Sequence, residues 1–403
     1  MSPILIAIFK YLLLFVNLYL LINAVYLFLF AVASKLKFKQ AKVAESKTFK
    51  RFVIVVPAYK NDGVIMDSLK FNFRQYYPKE CYEIIVAGDK LEPHTIEELR
   101  KINPKPENIL DLQLESSSKV KSLRHTYDLI KNGNFDYLIM LDIDNLLEPN
   151  YLTKLNNFIQ EDQIVIQTHR VAKNLDTPYS ILDAISEEVN NNIFRKGHRN
   201  IGMSAALIGS GVIFRIDYYL ENLMKWKAVG GFDKELEIEL AKNNIRIHYA
   251  DDIVVFDEKT RYLDELKVQR TRWLSAQFFY LRTNIFKSFS ILLKTGNVNY
   301  LDKIIQYALL PRILMSGFLF LFFVLHFFVF KQMFWIATIN VILNAITLAL
   351  TIPAKFLNKK FLRSIVYLPI TFYTLFINLR KLKGANRRFI ITPHHTTSKG
   401  TKF

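Results

Sequence analysis

The 403-residue chain is 51% hydrophobic and carries a formal net charge of +18 at pH 7. Almost all of the positive excess lies in three segments, 35–51, 355–363 and 380–388, each beside a long apolar stretch. This placement is the positive-inside pattern of membrane proteins, aided by anionic lipid headgroups, and it argues against a nucleic-acid-binding groove. Cys81 is the one cysteine, which excludes an intrachain disulfide framework and a multi-cysteine zinc site and fits a reducing compartment.

Apolar stretches at both ends of the chain predict membrane helices. Residues 11–34 are uncharged and long enough to cross about 30 Å of hydrocarbon. Residues 313–330 and 333–352 supply two further spans, whereas 364–379 is shorter and contains Pro369. A fourth crossing would carry the last basic segment across the membrane, so we expect 364–379 to lie at the interface or re-enter, with four spans as the alternative. The prediction is a multi-pass protein of the cell membrane, with a cytosolic domain after the first helix.

Between these apolar stretches, short strands alternate with helices. This order predicts an α/β domain with a mixed, mostly parallel sheet, which binds ligands at the carboxyl ends of its strands. The predicted strands are Phe52–Val56, Tyr82–Ala87 and Tyr137–Leu141, and the predicted helices are Asp67–Gln75, Thr95–Ile102 and Ser118–Ile130. The expected organisation is a membrane helix over 1–34, a cytosolic domain over 35–282, and interfacial and membrane helices with a short basic cytosolic tail over 283–403.

Two aspartates, Asp142 and Asp144, close the apolar strand 137–141. Side chains two positions apart on an extended chain point to the same face, so both carboxylates leave the buried strand together. Such a pair suits Mg²⁺ or Mn²⁺, which prefer oxygen ligands and bridge to substrate phosphates, and a solvated turn is the alternative. Asp89 ends another predicted strand, where it either faces the same crevice or caps the following helix.

Two further segments bring polar groups toward this edge. Lys119-Val120-Lys121 follows three serines at a predicted helix start, where backbone N–H groups and a cation can meet a phosphate. A solvated helix start is the alternative interpretation. Gly209-Ser210-Gly211 follows an apolar run and predicts a tight bend, which either lets the backbone approach a ligand closely or is simply a turn.

An acidic helix is predicted after Gly230-Gly231-Phe232-Asp233, with glutamates at 235, 237 and 239. Successive ones lie about 200° apart on a helix, so Glu235 and Glu239 share a face that excludes Glu237. A carboxylate near the buried side, where desolvation raises its pKa, suits a general base. Geometry leaves open which face meets a ligand, and a solvated acidic face accounts for at least one of the glutamates.

The run Gln269-Arg270-Thr271-Arg272-Trp273 predicts a helical face that presents Gln269 with Arg272 and Trp273. A planar guanidinium matches the oxygens of a diphosphate, and an indole packs against the face of a sugar. An amphipathic helix on the membrane surface is the alternative, because aromatic residues follow at 278–280.

In this order the motifs resemble the membrane-integrated, inverting family-two glycosyltransferases, which include the cellulose, chitin, hyaluronan and poly-N-acetylglucosamine synthases. The likeness covers about residues 50–280 and continues into the hydrophobic tail. An Asp-X-Asp followed by Gln-X-X-Arg-Trp carries it most specifically. The matching segments are Val53–Tyr59, Asp89, Lys119, Asp142–Asp144, Gly209–Gly211, Gly230–Asp233 and Gln269–Trp273.

The resemblance implies a GT-A-type domain, a UDP-sugar donor and a divalent cation, Mg²⁺ or Mn²⁺. It implies that Asp142 and Asp144 hold the metal and the diphosphate, with Asp144 the direct metal ligand. The remaining implied substrate-binding residues are Pro57, Tyr59, Asp89 beside the uracil, Lys119, Gly209 and Ser210 beside the acceptor, and Gln269, Arg272 and Trp273 at the diphosphate and acceptor sugar.

Two departures from the family pattern shape the functional prediction. Where the family has a Glu-Asp pair whose aspartate is the base, this chain has Leu236-Glu237, so Glu237 inherits that catalytic role unless Glu235 or Glu239 replaces it. The membrane part is also shorter than in relatives that secrete polymers. We predict transfer to a growing polysaccharide. The alternatives are single transfer to a membrane lipid, as in ceramide glucosyltransferases, and an inactive membrane subunit.

Overall fold

The computed structural model describes residues 3–37, 46, 48–382 and 384, so parts of the first and last basic segments lie outside the described residues. The chain starts with a long helix, α1 (Pro3–Ala33), and continues into an α/β domain. The strands of this domain are β1 (Phe52–Tyr59), β2 (Tyr82–Asp89), β3 (Ile109–Leu112), β4 (Tyr137–Met140), β5 (Leu146–Leu147), β6 (Val165–Ala172), β7 (Val212–Arg215) and β8 (Ile247–Asp257). Its helices are α2 (Asp62–Asn72), α3 (Pro93–Ile102), α4 (Lys119–Arg124), α5 (Tyr127–Asn132), α6 (Tyr151–Phe158), α7 (Pro178–Asn190), α8 (His198–Asn200), α9 (Ile216–Asn222) and α10 (Phe232–Lys242).

The strands form one sheet in the order β3-β2-β1-β4-β7-β6-β8-β5. Strands β1 to β4 run parallel to one another, as do β6 and β8, whereas β7 is antiparallel to β4 and β6, and β5 is antiparallel to β8. The predicted mixed, mostly parallel α/β fold is therefore confirmed. Strands β1, β2 and β4 point their carboxyl ends the same way, and the register pairs Tyr59 with Asp89 at that edge.

Alternate residues of β1 enter two different cores, which is the period-two pattern of a sheet covered on both faces. Ile54 and Val56 pack in a cluster that includes Ile65 of α2. Val53 and Val55 pack in the other, which includes Leu236 of α10. Helix α10, which carries the acidic segment, is thereby held against the sheet.

The structure corrects several predicted element boundaries. Helix α2 spans Asp62–Asn72 and not Asp67–Gln75, β2 extends to Asp89, and α3 and β4 differ from their predictions by one or two residues at one end. Two further corrections have a local cause. Strand β1 continues through Pro57 to Tyr59, because its pairing with β4 ends at Val55 and a residue without an N–H is tolerated where one side of a strand is unpaired. The helix predicted over 118–130 is split into α4 and α5. The hydroxyl of Thr126 donates to the carbonyl oxygen of Leu123 at 2.7 Å, a local bond that competes with continued helix.

After the sheet the chain is helical. The helices are α11 (Leu263–Thr295), α12 (Val298–Ala308), α13 (Arg312–Phe328), α14 (Phe334–Thr351), α15 (Lys359–Ile365) and α16 (Leu368–Asn378). By length and composition, Ile4–Ala33 and Lys331–Thr351 suit a membrane crossing. Helices α12 and α13 meet at 59°, and α15 meets the segment Leu368–Lys381 at 45°, so each pair is either a broken span or a re-entrant loop and the described residues contain two to four candidate spans.

Helix α1 packs against the domain as well as against the other apolar helices. Leu20, Leu27 and Ala31 share a core cluster with Ile185 of α7 and with Met315 of α13. Between α7 and α8 the backbone forms a π-helical segment, Asn191–Gly197. A Cβ at Gly197 would collide with the carbonyl oxygen of Phe30, so α1 lies directly against this segment.

Candidate active site

Lys119 joins three parts of the predicted site at the carboxyl end of β4. Its ammonium group lies 2.5 Å from Oδ1 of Asp142 and donates to the carbonyl oxygen of Gly209 at 2.6 Å. The backbone N–H of Asp142 donates to Oγ of Ser210 at 2.9 Å. The Asp142 side chain remains 37% exposed, so an incoming ligand can reach it. The structure thus brings together four residues that the sequence predicted from three separate segments.

Asp144 sits deeper, with 2% of its surface exposed. Its Oδ2 accepts the backbone N–H of Glu258 at 3.0 Å, and its carbonyl oxygen accepts a bond from Lys173. Within the described residues, no group of three or more His, Cys, Asp or Glu side chains is arranged to hold a metal ion. Two carboxylates nevertheless fit Mg²⁺ or Mn²⁺, which take hard oxygen ligands and complete their coordination with water and substrate phosphates.

The ends of β1 and β2 form another part of the same cavity, where Pro57, Tyr59 and Asp89 line the wall. Asp89 is fully buried, and its Oδ1 accepts the backbone N–H of Leu114 at 3.1 Å. Its Oδ2 has no hydrogen-bond partner among the described residues. A buried carboxylate oxygen without a partner is costly, so this atom suits a ligand that donates an N–H or O–H.

The bend at 209–211 requires glycine at two positions. Gly209 and Gly211 have φ of 86° and 63°, a backbone conformation that L side chains rarely adopt. A Cβ at Gly211 would also lie 2.7 Å from Oγ1 of Thr168. The tight bend predicted here is confirmed, and it fixes Ser210 beneath Asp142.

The predicted helix through the Gln-X-X-Arg-Trp run is α11, and Gln269, Arg272 and Trp273 all line the cavity. The guanidinium of Arg270 lies 4.7 Å from the centre of the Trp273 ring and 2.5 Å from Oδ1 of Asp183. One face of the indole is therefore covered by a cation. Oε1 of Gln269 is buried and has no partner in the described part of the chain.

Glu237 points away from the cavity into a closed polar cluster. Its Oε1 accepts the backbone N–H of Leu207 at 2.9 Å and lies 3.3 Å from Nζ of Lys303. Its Oε2 accepts from Lys234 at 2.8 Å and from the hydroxyl of Tyr307 at 2.7 Å. Burial by itself raises the pKa of Glu237, but Lys234 and Lys303 outweigh it and lower that pKa to about 2. The raised pKa expected for a glutamate on the buried side of this helix is therefore not found at Glu237, whereas burial does raise the pKa of Glu239.

Asp233, in the first turn of α10, is the carboxylate of this segment that lines the cavity. The side chain of Asp233 is 26% exposed. Burial lowers the pKa of Arg272, and the negative charge of Asp233 partly offsets that effect, so the two side chains lie close enough to interact electrostatically. Glu235 instead accepts backbone N–H groups of Lys227 and Ala228 at 3.0–3.1 Å. The prediction that Glu235 and Glu239 share one face of this helix and Glu237 lies on another therefore holds. The cavity carboxylate is Asp233, which lies on the same face as Glu237 but one turn earlier.

A buried ion network that the sequence analysis did not find lies behind the aspartate edge. Arg170 contacts Glu187 at 3.0 Å and Asp257 at 3.3 Å, and Lys259 pairs with the same two carboxylates. Asn145 donates to Asp257 at 3.0 Å and so connects the network to the loop after β4. Asp257 is the last residue of β8. The reasoning that an acidic residue at the end of an apolar strand lies at the sheet edge, which predicted Asp89 and Asp142, therefore applies to it as well.

One cavity of about 500 Å³ is lined by most of the predicted site residues, but not by Glu237 or Ser210. Those that line it are Pro57, Tyr59, Asp89, Lys119, Asp142, Asp144, Gly209, Gln269, Arg272 and Trp273. It runs from the strand ends, past α10 and α11, to the break between α12 and α13. Its inner end is lined by residues of the apolar helices and of the π-helical segment. These are Leu27, Phe194, Arg195, Gln306, Leu309, Leu310, Pro311, Arg312, Ile313 and Leu375.

A mostly parallel sheet with an aspartate pair at its carboxyl edge, covered by helices and opening into such a cavity, is the architecture of an α/β domain of the GT-A type. A sequence profile described as glycosyltransferase like family 2 matches residues 50–276, more than half of the chain. The chain belongs to this family.

Two curated relatives are similar over shorter stretches. The poly(ribitol-phosphate) beta-glucosyltransferase of Bacillus spizizenii is 29% identical over 110 residues, which are 27% of this chain and 17% of the relative. A dolichyl N-acetyl-alpha-D-glucosaminyl phosphate 3-beta-D-2,3-diacetamido-2,3-dideoxy-beta-D-glucuronosyltransferase of Methanococcus voltae is 27% identical over 99 residues, 25% of this chain and 30% of the relative. The similarity thus spans less than a third of either relative.

A solved structure supports the fold. It is the mannosyltransferase PcManGT from Pyrobaculum calidifontis in complex with GDP-Man and Mn²⁺, with a TM-score of 0.50 and 14% identity. The alignment covers 84% of this chain and 96% of that one, so the likeness extends beyond the family domain into the helical part. At this identity it is evidence for the architecture alone.

Proposed function

We propose that the protein is a membrane-bound enzyme that transfers a sugar, with inversion, from a nucleotide-diphosphate sugar to an acceptor. A UDP-sugar is the donor that the motifs favour. The observation that carries the proposal is the single cavity that Asp142, Asp144, Asp233, Arg272 and Trp273 all border or adjoin. These supply the oxygen ligands, base, cation and aromatic surface that such a transfer uses.

The donor's diphosphate would bind at the edge formed by Asp142, Asp144 and Lys119. A divalent cation on the two aspartates supplies charge neutralisation for the leaving diphosphate. Lys119 pairs with Asp142 in this structure. If Asp142 held a divalent cation, the ammonium group of Lys119 would be able to pair with the diphosphate. Arg272 adds a fixed guanidinium at the same cavity.

Asp233 is the base that we propose in place of Glu237. An acceptor hydroxyl loses its proton to the carboxylate as its oxygen forms the bond to the anomeric carbon. The bond between that carbon and the diphosphate oxygen breaks, and its electron pair leaves with the nucleotide. Asp233 borders the cavity, is partly exposed and has one ion-pair contact, to Lys234 at 3.5 Å. Glu237 instead uses both carboxylate oxygens in four contacts with protein groups.

The acceptor would reach the cavity from the membrane side. Its inner end is lined by Leu27 of α1 and Leu375 of α16, which are apolar and belong to helices near or within the membrane in the predicted topology. This apolar lining favours a lipid-linked acceptor. Extension of a free polysaccharide stays a prediction from the family motifs. The cell membrane is the proposed location, with residues 35–282 in the cytosol.

Nucleotide release by the purified full-length chain tests the proposal. With Mn²⁺ and a UDP-sugar or GDP-sugar, wild-type protein should release nucleotide, and Asp144→Asn should not. Asp217→Asn is a matched control, because Asp217 is remote from the site. It forms an ion pair with Arg215, which is the strand partner of Tyr137 at the opposite end of β4. Absence of release with every donor and with a membrane extract as the acceptor source would contradict the enzyme assignment. Sizing the radiolabelled product then separates polymer from lipid glycoside.

A further inference from the structure

The inner end of the cavity contains two guanidinium groups, Arg195 and Arg312, that form no ion pair with a carboxylate of the described residues. Arg195 is 4% exposed and donates to Oδ1 of Asn191 at 2.7 Å and to a backbone carbonyl. Arg312 is partly buried and donates to Oδ1 of Asn190 and to the hydroxyl of Ser186 at 2.8 Å. All of these partners are neutral, and within the described part of the chain neither arginine forms an ion pair.

The neighbouring cations already have partners. Arg270 pairs with Asp183, and Arg170 and Lys259 both pair with Glu187. Glu187 also attracts Arg195 and Arg312 at longer range, but its two oxygens are engaged by Arg170 and Lys259. The balance at this end of the cavity is therefore positive. Buried charge without a counter-charge is unfavourable, so an anion bound here is stabilised by both arginines.

The backbone at this point is irregular on both sides of the cavity. Arg195 lies on the π-helical segment Asn191–Gly197, a rare conformation that recurs at functional sites because it redirects side chains. Arg312 is the first residue of α13, directly after the 59° break that follows α12. Consecutive asparagines, Asn190 and Asn191, hold the two guanidiniums, so both are fixed by the same turn of chain.

The surfaces next to the arginines are apolar. Leu27, Leu310, Ile313 and Leu375 line the same end of the cavity. Leu27 is six residues before the end of α1, which places it about 9 Å along the helix from that end. A ligand at this end therefore meets two cations together with hydrocarbon surface from helices that are candidates for the membrane.

We infer that Arg195 and Arg312 bind the phosphate of a phosphate-bearing lipid acceptor, whose chain lies against the apolar lining of α1, α13 and α16. This inference rests on the proposed function and names its acceptor class. The donor's diphosphate has its own ligands at Asp142, Asp144 and Lys119, so it does not account for the two arginines. A phosphate on a lipid matches both the charge and the hydrocarbon surface, whereas a neutral lipid matches only the second.

Equilibrium binding of radiolabelled farnesyl phosphate to the full-length chain in detergent tests this assignment. Wild-type protein should bind it at least tenfold more tightly than farnesol, and inorganic phosphate at equal concentration should not displace it. Arg312→Gln should weaken binding about tenfold or more, while Arg312→Lys, which keeps the charge, should retain most of it. Arg195→Gln should have the same effect as Arg312→Gln. Arg215→Gln is the control, because Arg215 pairs with Asp217 at the remote end of the sheet.

Donor binding, measured on the same preparations, separates this inference from the proposed function and verifies folding. UDP-sugar binding with Mn²⁺ should be unchanged in Arg195→Gln and Arg312→Gln. If both variants lose donor binding but keep farnesyl phosphate, the arginines belong to the donor site and the lipid-phosphate inference is overturned. Equal binding of farnesol and farnesyl phosphate, or displacement by inorganic phosphate, also overturns it. Lipid-phosphate binding by a chain that binds no nucleotide sugar would instead contradict the proposed function.

Discussion

Replacing Asp233 and Glu237 separately distinguishes a cavity carboxylate from a buried structural one. Asp233→Asn keeps the size of the side chain and removes the proton acceptor. General bases contribute about 10²–10⁴-fold to a rate. We expect kcat to fall about 10³-fold, equivalent to about 4 kcal/mol of activation free energy. Donor binding should change little, because the diphosphate edge formed by Asp142, Asp144 and Lys119 does not include Asp233.

Glu237→Gln should act on stability instead. The pKa of Glu237 is lowered from 4.5 to about 2 in the folded protein, despite burial. Its ionised form therefore contributes about 3 kcal/mol to the free energy of unfolding at neutral pH. That contribution is complete above pH 4.5 and is lost as the pH falls toward 2. Removing it should lower the thermal midpoint by about 6–12 °C.

The measurements are kcat from nucleotide release, the donor dissociation constant, and the thermal midpoint between pH 3 and pH 7. Wild-type protein should lose stability on acidification more steeply than Glu237→Gln, because the variant lacks the titrating group. Glu235→Gln is the control from the same helix, since its carboxylate accepts only exposed or part-buried backbone N–H groups. Normal turnover by Asp233→Asn, with a well-folded but inactive Glu237→Gln, would refute the assignment and restore Glu237 as the base.

Three further outcomes follow from the structure. Replacing Asp144 by Asn, or treating the wild type with EDTA, should lower turnover by about 10²-fold or more. Added Mn²⁺ should restore the activity of the EDTA-treated wild type but not that of Asp144→Asn, and full activity in excess chelator would contradict the metal assignment. Gly231 has φ of 74°, and a Cβ there would lie 2.6 Å from that of Ala276. Gly231→Ala should therefore lower the free energy of unfolding in denaturant by about 1–3 kcal/mol, and an unchanged midpoint would show that α10 moves freely against α11. In a Cys81→Ser background, Asn358→Cys should react with an impermeant thiol reagent only in permeabilised cells, whereas labelling of intact cells would reverse the predicted topology.

Local patterns were sufficient to predict the strand ends and the residues on them. Apolar runs mark β1, β2 and β4, and a polar residue after such a run must lie at the sheet edge, so Asp89, Asp142 and Asp144 were found. The helix through Gln269 and Trp273 followed from side-chain spacing in the same way. These features depend on neighbours within a few positions in the chain.

The environment of Glu237 depends on partners far along the chain and was not predictable. Lys303 and Tyr307 contact it from α12, 66 and 70 residues further on. A helical pattern separates the two faces of α10 but does not reveal which neighbour covers each face. The position of Arg195 and Arg312 at the same end of the cavity could not be predicted for the same reason, because it depends on the bend between α12 and α13.

The contact of α1 with the π-helical segment connects this helix to the cavity as well as to the other apolar helices. Leu27 forms part of the cavity wall, and Gly197 allows no side chain between the segment and the backbone of α1. A long apolar helix can adjust to the thickness of the bilayer around it by tilting. In the membrane-bound enzyme that we propose, a change in bilayer thickness that tilts α1 should alter the shape of the cavity, and the rate should depend on the thickness of the membrane in which the enzyme is assayed.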